Sequence, residues 1–110
     1  MLDYIKEFHA HVYFDEASLG QAVALCEEAA KRFSVVMGRV HQKPIGPHVE
    51  WNCQLLFCLE KFGELVPWLA LNRQGLSILV HPDIANDLKD HTDHAIWLGE
   101  VKELNLDIFR

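Results

Sequence analysis

Long apolar runs, paired cysteines and basic clusters are scarce in this 110-residue sequence. No stretch approaches the ~20 apolar residues that span a bilayer, and Met1-Leu2-Asp3-Tyr4 lacks the basic start and apolar middle of a signal peptide. A cytoplasmic protein without membrane association is the expectation. Cys26, Cys53 and Cys58 are odd in number and lack CxxC spacing, which argues against a disulfide framework and a zinc-thiolate site and leaves buried free thiols. Ten Lys and Arg against sixteen Asp and Glu give a net charge of −6, and the basic residues are scattered, so nucleic acid is not an expected partner. GxSxG, GxGxxG and Walker-type loops are absent, which removes support for acyl-enzyme and nucleotide chemistry.

Present in their place are seven histidines and a half-hydrophobic composition suited to one globular domain over residues 1–110, large enough for a core without stapling. Phe8-His9-Ala10-His11-Val12-Tyr13-Phe14 organises the rest. Side chains of a strand alternate between faces, so Phe8, Ala10, Val12 and Phe14 point one way and His9, His11 and Tyr13 the other. The first set can build a core. The second can build a site, because imidazoles two residues apart lie roughly 7 Å from one another and are common metal ligands.

Asp15 or Ser18 can cap a helix running to about Phe33, with Leu19, Ala22, Cys26, Ala29 and Phe33 on one face. The segment 34–41 reads as a strand with Val35, Met37, Arg39 and His41 sharing a face, and 42–50 as a stiff loop holding Pro44, Gly46, Pro47 and His48. Residues 51–58 read as a central strand, apolar except for Asn52 and Gln54, and 60–72 as a helix despite Pro67. A fourth strand, 76–81, places Ser77, Leu79 and His81 on one face. A short polar helix over 83–91 and an edge strand from the alternation of Leu104, Leu106 and Ile108 complete the chain.

The order strand, helix, strand, strand, helix, strand is the split βαβ pattern of an α+β, ferredoxin-like βαββαβ sandwich with a four-stranded antiparallel sheet. Helices cover one face of such a sheet, so the other calls for solvent, the C-terminal segment or a second subunit; a homodimer of α/β-barrel type is expected. His9, His11, His41, His48 and His81 fall near strand ends or on matching faces and can converge, whereas His91 and His94 sit in a polar run. Arg39 is either a surface charge or a carboxylate anchor. Trp51, Trp68 and Trp97 read as core. A pocket rich in histidine and poor in cysteine suits Zn, Fe, Cu or Ni.

His9-Ala10-His11-Val12-Tyr13-Phe14, Gly38-Arg39-Val40-His41, Lys43-Pro44-Ile45-Gly46-Pro47-His48, Leu71-Asn72-Arg73-Gln74-Gly75-Leu76, Ile78-Leu79-Val80-His81-Pro82, Asp90-His91-Thr92 and Trp97-Leu98-Gly99 together resemble the DOPA 4,5-dioxygenase family. Val49 departs from the Pro often found after its Gly-Pro-His. The resemblance implies a small non-haem iron(II) extradiol dioxygenase that opens a catechol such as L-DOPA with O2, although another divalent metal such as Zn could occupy a purified sample. It implies His11, His48 and His81 as metal ligands, with His9 in reserve or in acid/base duty beside His41 and His91. Arg39, Arg73 and Tyr13 would bind substrate. The carboxylate usual in a facial triad has no clear counterpart, Glu50 being the nearest to His48 in sequence. Two other classes compete: a non-catalytic metal- or aromatic-binding dimer, and a metal-free isomerase or tautomerase using histidine.

Overall fold

A computed structural model describes residues 4–110; the first three residues, read above as lacking a signal-peptide start, lie outside it. Strand β1 (Glu7–Phe14) is the middle of a five-stranded antiparallel sheet in the order β2-β3-β1-β4-β5. Its neighbours are β3 (Trp51–Phe57) and β4 (Ile78–Asp83), with β2 (Val36–His41) and β5 (Ile96–Leu98) at the edges. The first four strands take the order of a split βαβ unit. The fifth corrects the four-stranded expectation.

Helices α1 (Leu19–Phe33) and α2 (Leu59–Asn72) cover one face. Phe8, Ala10, Val12 and Phe14 of β1 and Cys53, Leu55 and Phe57 of β3 join Ala22, Cys26, Ala29, Leu65 and Leu69 in the core. Pro67 lies inside α2, where it removes the hydrogen bond to the carbonyl four residues back, that of Gly63. Cys26 and Cys53 are buried free thiols with their sulfurs 2.8 Å apart, but Cys58 is exposed, contrary to expectation, because it stands outside the core at the start of α2.

Three local expectations fail. In β2, Met37 faces Leu55 but Val40 faces Cys53 and His41 faces Asn52, so Gly38 and Arg39 together oppose Gln54. This bulge reverses the parity of the strand, leaving Met37 toward the helices and turning His41 to the other face. The expected helix over 83–91 shrinks to α3 (Asp87–Asp90), since β4 continues through Asp83 and Ala85 takes a left-handed φ of 64° before Asn86 caps the turn. The expected C-terminal edge strand is a 3-10 helix (Leu106–Phe109), and β5 fills the edge instead. Gly99, with φ 85°, turns the chain away after β5, and the Asn105 side chain accepts the Asp107 N–H. Leu106 and Phe109, three residues apart, then become the partly buried pair.

Among the described residues no helix is long and apolar enough to cross a membrane.

Candidate metal centre

The face of the sheet away from α1 and α2 carries the histidines. Pairing places His9 opposite both Leu56 and His81, His11 opposite Gln54 and Leu79, and Tyr13 opposite Asn52. Directly opposed residues of antiparallel strands share a face, so His81 lies beside His9 as the parity of β4 requires. His48 is brought over this face by the 42–50 loop, which closes on itself through Ile45 N–H to His48 C=O at 3.1 Å and His48 N–H to Ile45 C=O at 2.9 Å. The C-terminal segment clamps that loop through Asn105 N–H, which donates to Pro47 C=O at 2.8 Å, and its Phe109 packs on His91 at the end of α3 with ring centroids 5.0 Å apart.

Five imidazoles thereby meet. Ring centroids are 4.0 Å apart for His11 and His48, 4.2 Å for His81 and His91, and 5.0 Å for His9 and His81. Among the described residues, two sets of three donors have their nitrogens within 4.8 Å of one another: His9, His11, His81 and His11, His48, His91. His11 belongs to both, so the expected trio His11, His48 and His81 straddles them. Neither set includes a carboxylate. Glu50 is turned toward Lys102, 3.4 Å away, and Asp90, although buried, is engaged by the Ile84 N–H at 3.1 Å and by His94 at 3.3 Å.

Hydrogen bonds fix which nitrogens are free. His81 Nδ1–H donates to the Pro82 carbonyl at 2.9 Å and His91 Nδ1–H to the Asp87 carbonyl at 2.7 Å, because a carbonyl oxygen can only accept. His11 Nδ1–H donates to Asn52 Oδ1 at 3.1 Å. Each neutral ring then carries its lone pair on Nε2, and the Nε2 atoms of His11 and His81 confront one another at 3.1 Å. A shared proton could reconcile two lone pairs. Burial disfavours that solution, holding His11 well below the ordinary histidine range and lowering His48 to about 3 and His81 to about 4. A cation between the two nitrogens reconciles them while keeping the His11 Nδ1–H bond to Asn52. Two imidazole nitrogens bound to one ion at about 2.1 Å stand about 3 Å apart when their bonds meet near a right angle. The donor set therefore fits a divalent transition metal.

The other expected residues are dispersed. His41 is half-buried at the end of β2, opposite Asn52 and within electrostatic reach of His48. Tyr13 is 2% exposed, its hydroxyl is 2.7 Å from His48 Nδ1 and its ring stacks on Trp97, so it supports His48 instead of offering a free substrate contact. Burial raises its pKa, keeping the phenol protonated. Arg73 lines a groove on the helix side with Gln21 and Trp68, donates to the Leu76 carbonyl at 3.2 Å and abuts Gly99. Arg39 is exposed at the β2 bulge. Asn52 and Phe109 were not expected at the site. For Asn52 the signal is its polarity in a strand apolar but for itself and Gln54; Phe109 has none, because a 3-10 turn brings it there.

Comparison with known proteins follows the same lines. A profile of the Dopa 4,5-dioxygenase family matches residues 8–108. A crystal structure of a dioxygenase candidate from Nostoc punctiforme is similar at TM-score 0.93 and 45% identity, covering 97% of this chain and 93% of that one. An uncharacterized 21.2 kDa protein of Botryotinia fuckeliana is 35% identical over 94% of this chain, and a DOPA 4,5-dioxygenase of Amanita muscaria is 35% identical over 93%. The chain spans 63% and 49% of the lengths of these two relatives. With nearly all of its residues inside the profile, the chain belongs to the Dopa 4,5-dioxygenase family.

Proposed function

We propose that this protein is a non-haem iron(II) extradiol dioxygenase that opens the ring of a catechol such as L-DOPA with O2, by 4,5-cleavage in the case of L-DOPA. The observation that carries the reading is the pair of Nε2 lone pairs of His11 and His81 facing each other at 3.1 Å inside a five-histidine cluster. His11 and His81 are the first ligands. His48 and His9, each grouped with His11, compete for the third position. Iron in this place would supply an electron-rich centre for the two catechol oxygens and dioxygen. An all-imidazole donor set replaces the carboxylate of a facial triad.

The chain's own residues handle position and protons. His91, half-buried with Nδ1 held by Asp87, presents Nε2 to the cluster and suits removal of a phenolic proton and its return to the opened product. His41 is the second candidate for this duty. Phe109 and the C-terminal turn shield that side from water. Arg73 lies on the helix side, so of the two arginines Arg39, at the β2 bulge opposite Gln54 on the histidine face, is the one left to anchor a substrate carboxylate. The free thiols of Cys26, Cys53 and Cys58 suit a reducing, cytoplasmic setting.

The row His9, Leu56 and Val36, with Val36 61% exposed, supports a second copy of the chain covering the open end of this face as a homodimer.

The test is anaerobic reconstitution with iron(II), followed by L-DOPA or simpler catechols in air. Oxygen uptake with a yellow product, both blocked by chelator, is expected. Iron binding without oxygen uptake from any catechol would overturn the dioxygenase reading in favour of a metal-binding module, and turnover that survives chelation would favour the metal-free isomerase class.

A further inference from the structure

Asn52 is 1% exposed, sits on central strand β3 opposite Tyr13 and His41, and is the residue whose side chain touches His11 on the side away from the cluster. Among the described residues, its Nδ2 is the buried side-chain nitrogen left without a hydrogen-bond partner. An orphaned amide N–H inside a protein costs about 1–3 kcal/mol. An aliphatic residue would avoid that cost and would suit the apolar run of β3. The feature an aliphatic residue cannot supply is an acceptor for His11 Nδ1–H.

We propose that Asn52 is a positioning residue that sets the tautomer of His11, holding the ring proton on Nδ1 so that the Nε2 lone pair faces His81 and is ready for a metal ion. A neutral imidazole has one proton and two nitrogens, so a hydrogen bond donated from Nδ1–H to Asn52 leaves the lone pair on Nε2. Without the acceptor, the proton gains by moving to Nε2, since from there it can donate to the His81 lone pair 3.1 Å away. That hydrogen bond closes the cluster, because it occupies the two nitrogens an ion would need. Asn52 thus opposes a self-sealed state of the site. For His81 the same duty falls to the Pro82 carbonyl, a backbone group that substitution cannot remove; His11, in the middle of β1, has its own carbonyls committed to the sheet and requires a side chain. The position is fixed by register: Asn52 stands opposite Tyr13, one step along β3 from the residue facing Val12, and the parity of the two strands puts it on the histidine face.

The inference rests on the metal-site reading above, and its test separates the two. Histidine 15N–1H correlation spectra of the metal-free protein report the ring proton's position directly, and zinc(II) affinity is measured by competition with a chromophoric chelator. In the wild type the His11 proton is expected on Nδ1. Asn52→Leu should lose that preference and weaken zinc binding by about 10- to 100-fold, the range for loss of a ligand's orienting partner. Asn52→Asp, which keeps the acceptor, should retain the Nδ1 proton in the zinc-loaded protein and bind within about threefold of wild type. A wild-type His11 proton on Nε2, or Asn52→Leu binding as tightly as wild type with its helical signal intact, would overturn the role of Asn52. If Asn52→Leu does not fold, the wild-type spectrum and Asn52→Asp decide. Wild type that carries the proton on Nδ1 yet binds no zinc or iron(II) would uphold the tautomer assignment and sink the metal site.

Discussion

The two faces of the central sheet are written by alternate residues of the same strands and obey opposite rules. On the helix face, Ala10, Val12, Leu55 and Val80 are fully buried with apolar neighbours, so each contact lowers the free energy of the fold. On the other, His11, Tyr13, Asn52 and His81 are as deeply buried, but burial makes the imidazoles resist protonation well below the pH at which a free histidine takes up a proton, and two lone pairs oppose each other. Burial depth alone does not distinguish core from site. What distinguishes them is whether the buried groups satisfy one another without a further partner.

One substitution on each face separates the two rules. His11→Ala should abolish stoichiometric iron binding and reduce turnover to background while leaving metal-free stability at or above the wild-type value, since it relieves the opposed lone pairs. Metal analysis, oxygen uptake and thermal melts check the three parts, and retained iron with retained turnover would remove His11 from the centre. Leu65→Ala, on α2 in the helix-face core, should do the reverse. The cost is about 2–5 kcal/mol in denaturant unfolding, with metal stoichiometry of the folded fraction unchanged.

A pH titration of the metal-free protein sharpens the contrast further. His48 and His81, at about 3 and 4 in the fold, and His11, well below its ordinary value, titrate near 6.5 once unfolded. Between these limits the unfolded chain binds more protons than the folded one, so stability rises with pH. Their contribution is complete above about pH 6.5 and is lost as pH falls toward 4 and then 3. Melting temperature is expected to drop by about 5 °C or more from pH 7 to pH 4.5. Zinc should raise the melting temperature at pH 7 and lose that effect over the same range. A flat profile from pH 7 to pH 4.5 would mean the imidazoles are not held neutral in the fold.

Much of this division was legible in the chain itself. Alternation in β1 separated His9 and His11 from Phe8, Ala10, Val12 and Phe14, and the parity of β4 brought His81 to the same side. The bulge was not legible, because Gly38-Arg39 permits a two-for-one register against Gln54 without demanding it, and the face of His41 depends on that choice. The C-terminal turn was missed because Leu104, Leu106 and Ile108 satisfy a period of two as well as Leu106 and Phe109 satisfy a period of three. Asn52 was visible as a polar exception in β3, yet its role depends on a hydrogen bond 41 residues away in sequence.

Arg73 provides the smallest expected effect and the most specific check on which face it serves. Its place in a family-like motif pointed to the substrate carboxylate, but its guanidinium donates to the Leu76 carbonyl and lies against Gly99, tying the end of α2 to the end of β5 on the helix side. Such a part-buried contact is worth about 1 kcal/mol. Arg73→Ala should therefore lower stability by about that amount, while KM for a carboxylate-bearing catechol and for one without a carboxylate both stay within about twofold of wild type. Gly99→Ala tests the same contact from the other side. Its Cβ would collide with the guanidinium while φ stays at 85°, so it should cost somewhat more than the loss of the arginine. A KM that rises tenfold only for the carboxylate-bearing substrate in Arg73→Ala would move this residue back to the histidine face and require a route for the substrate around the sheet edge at β5.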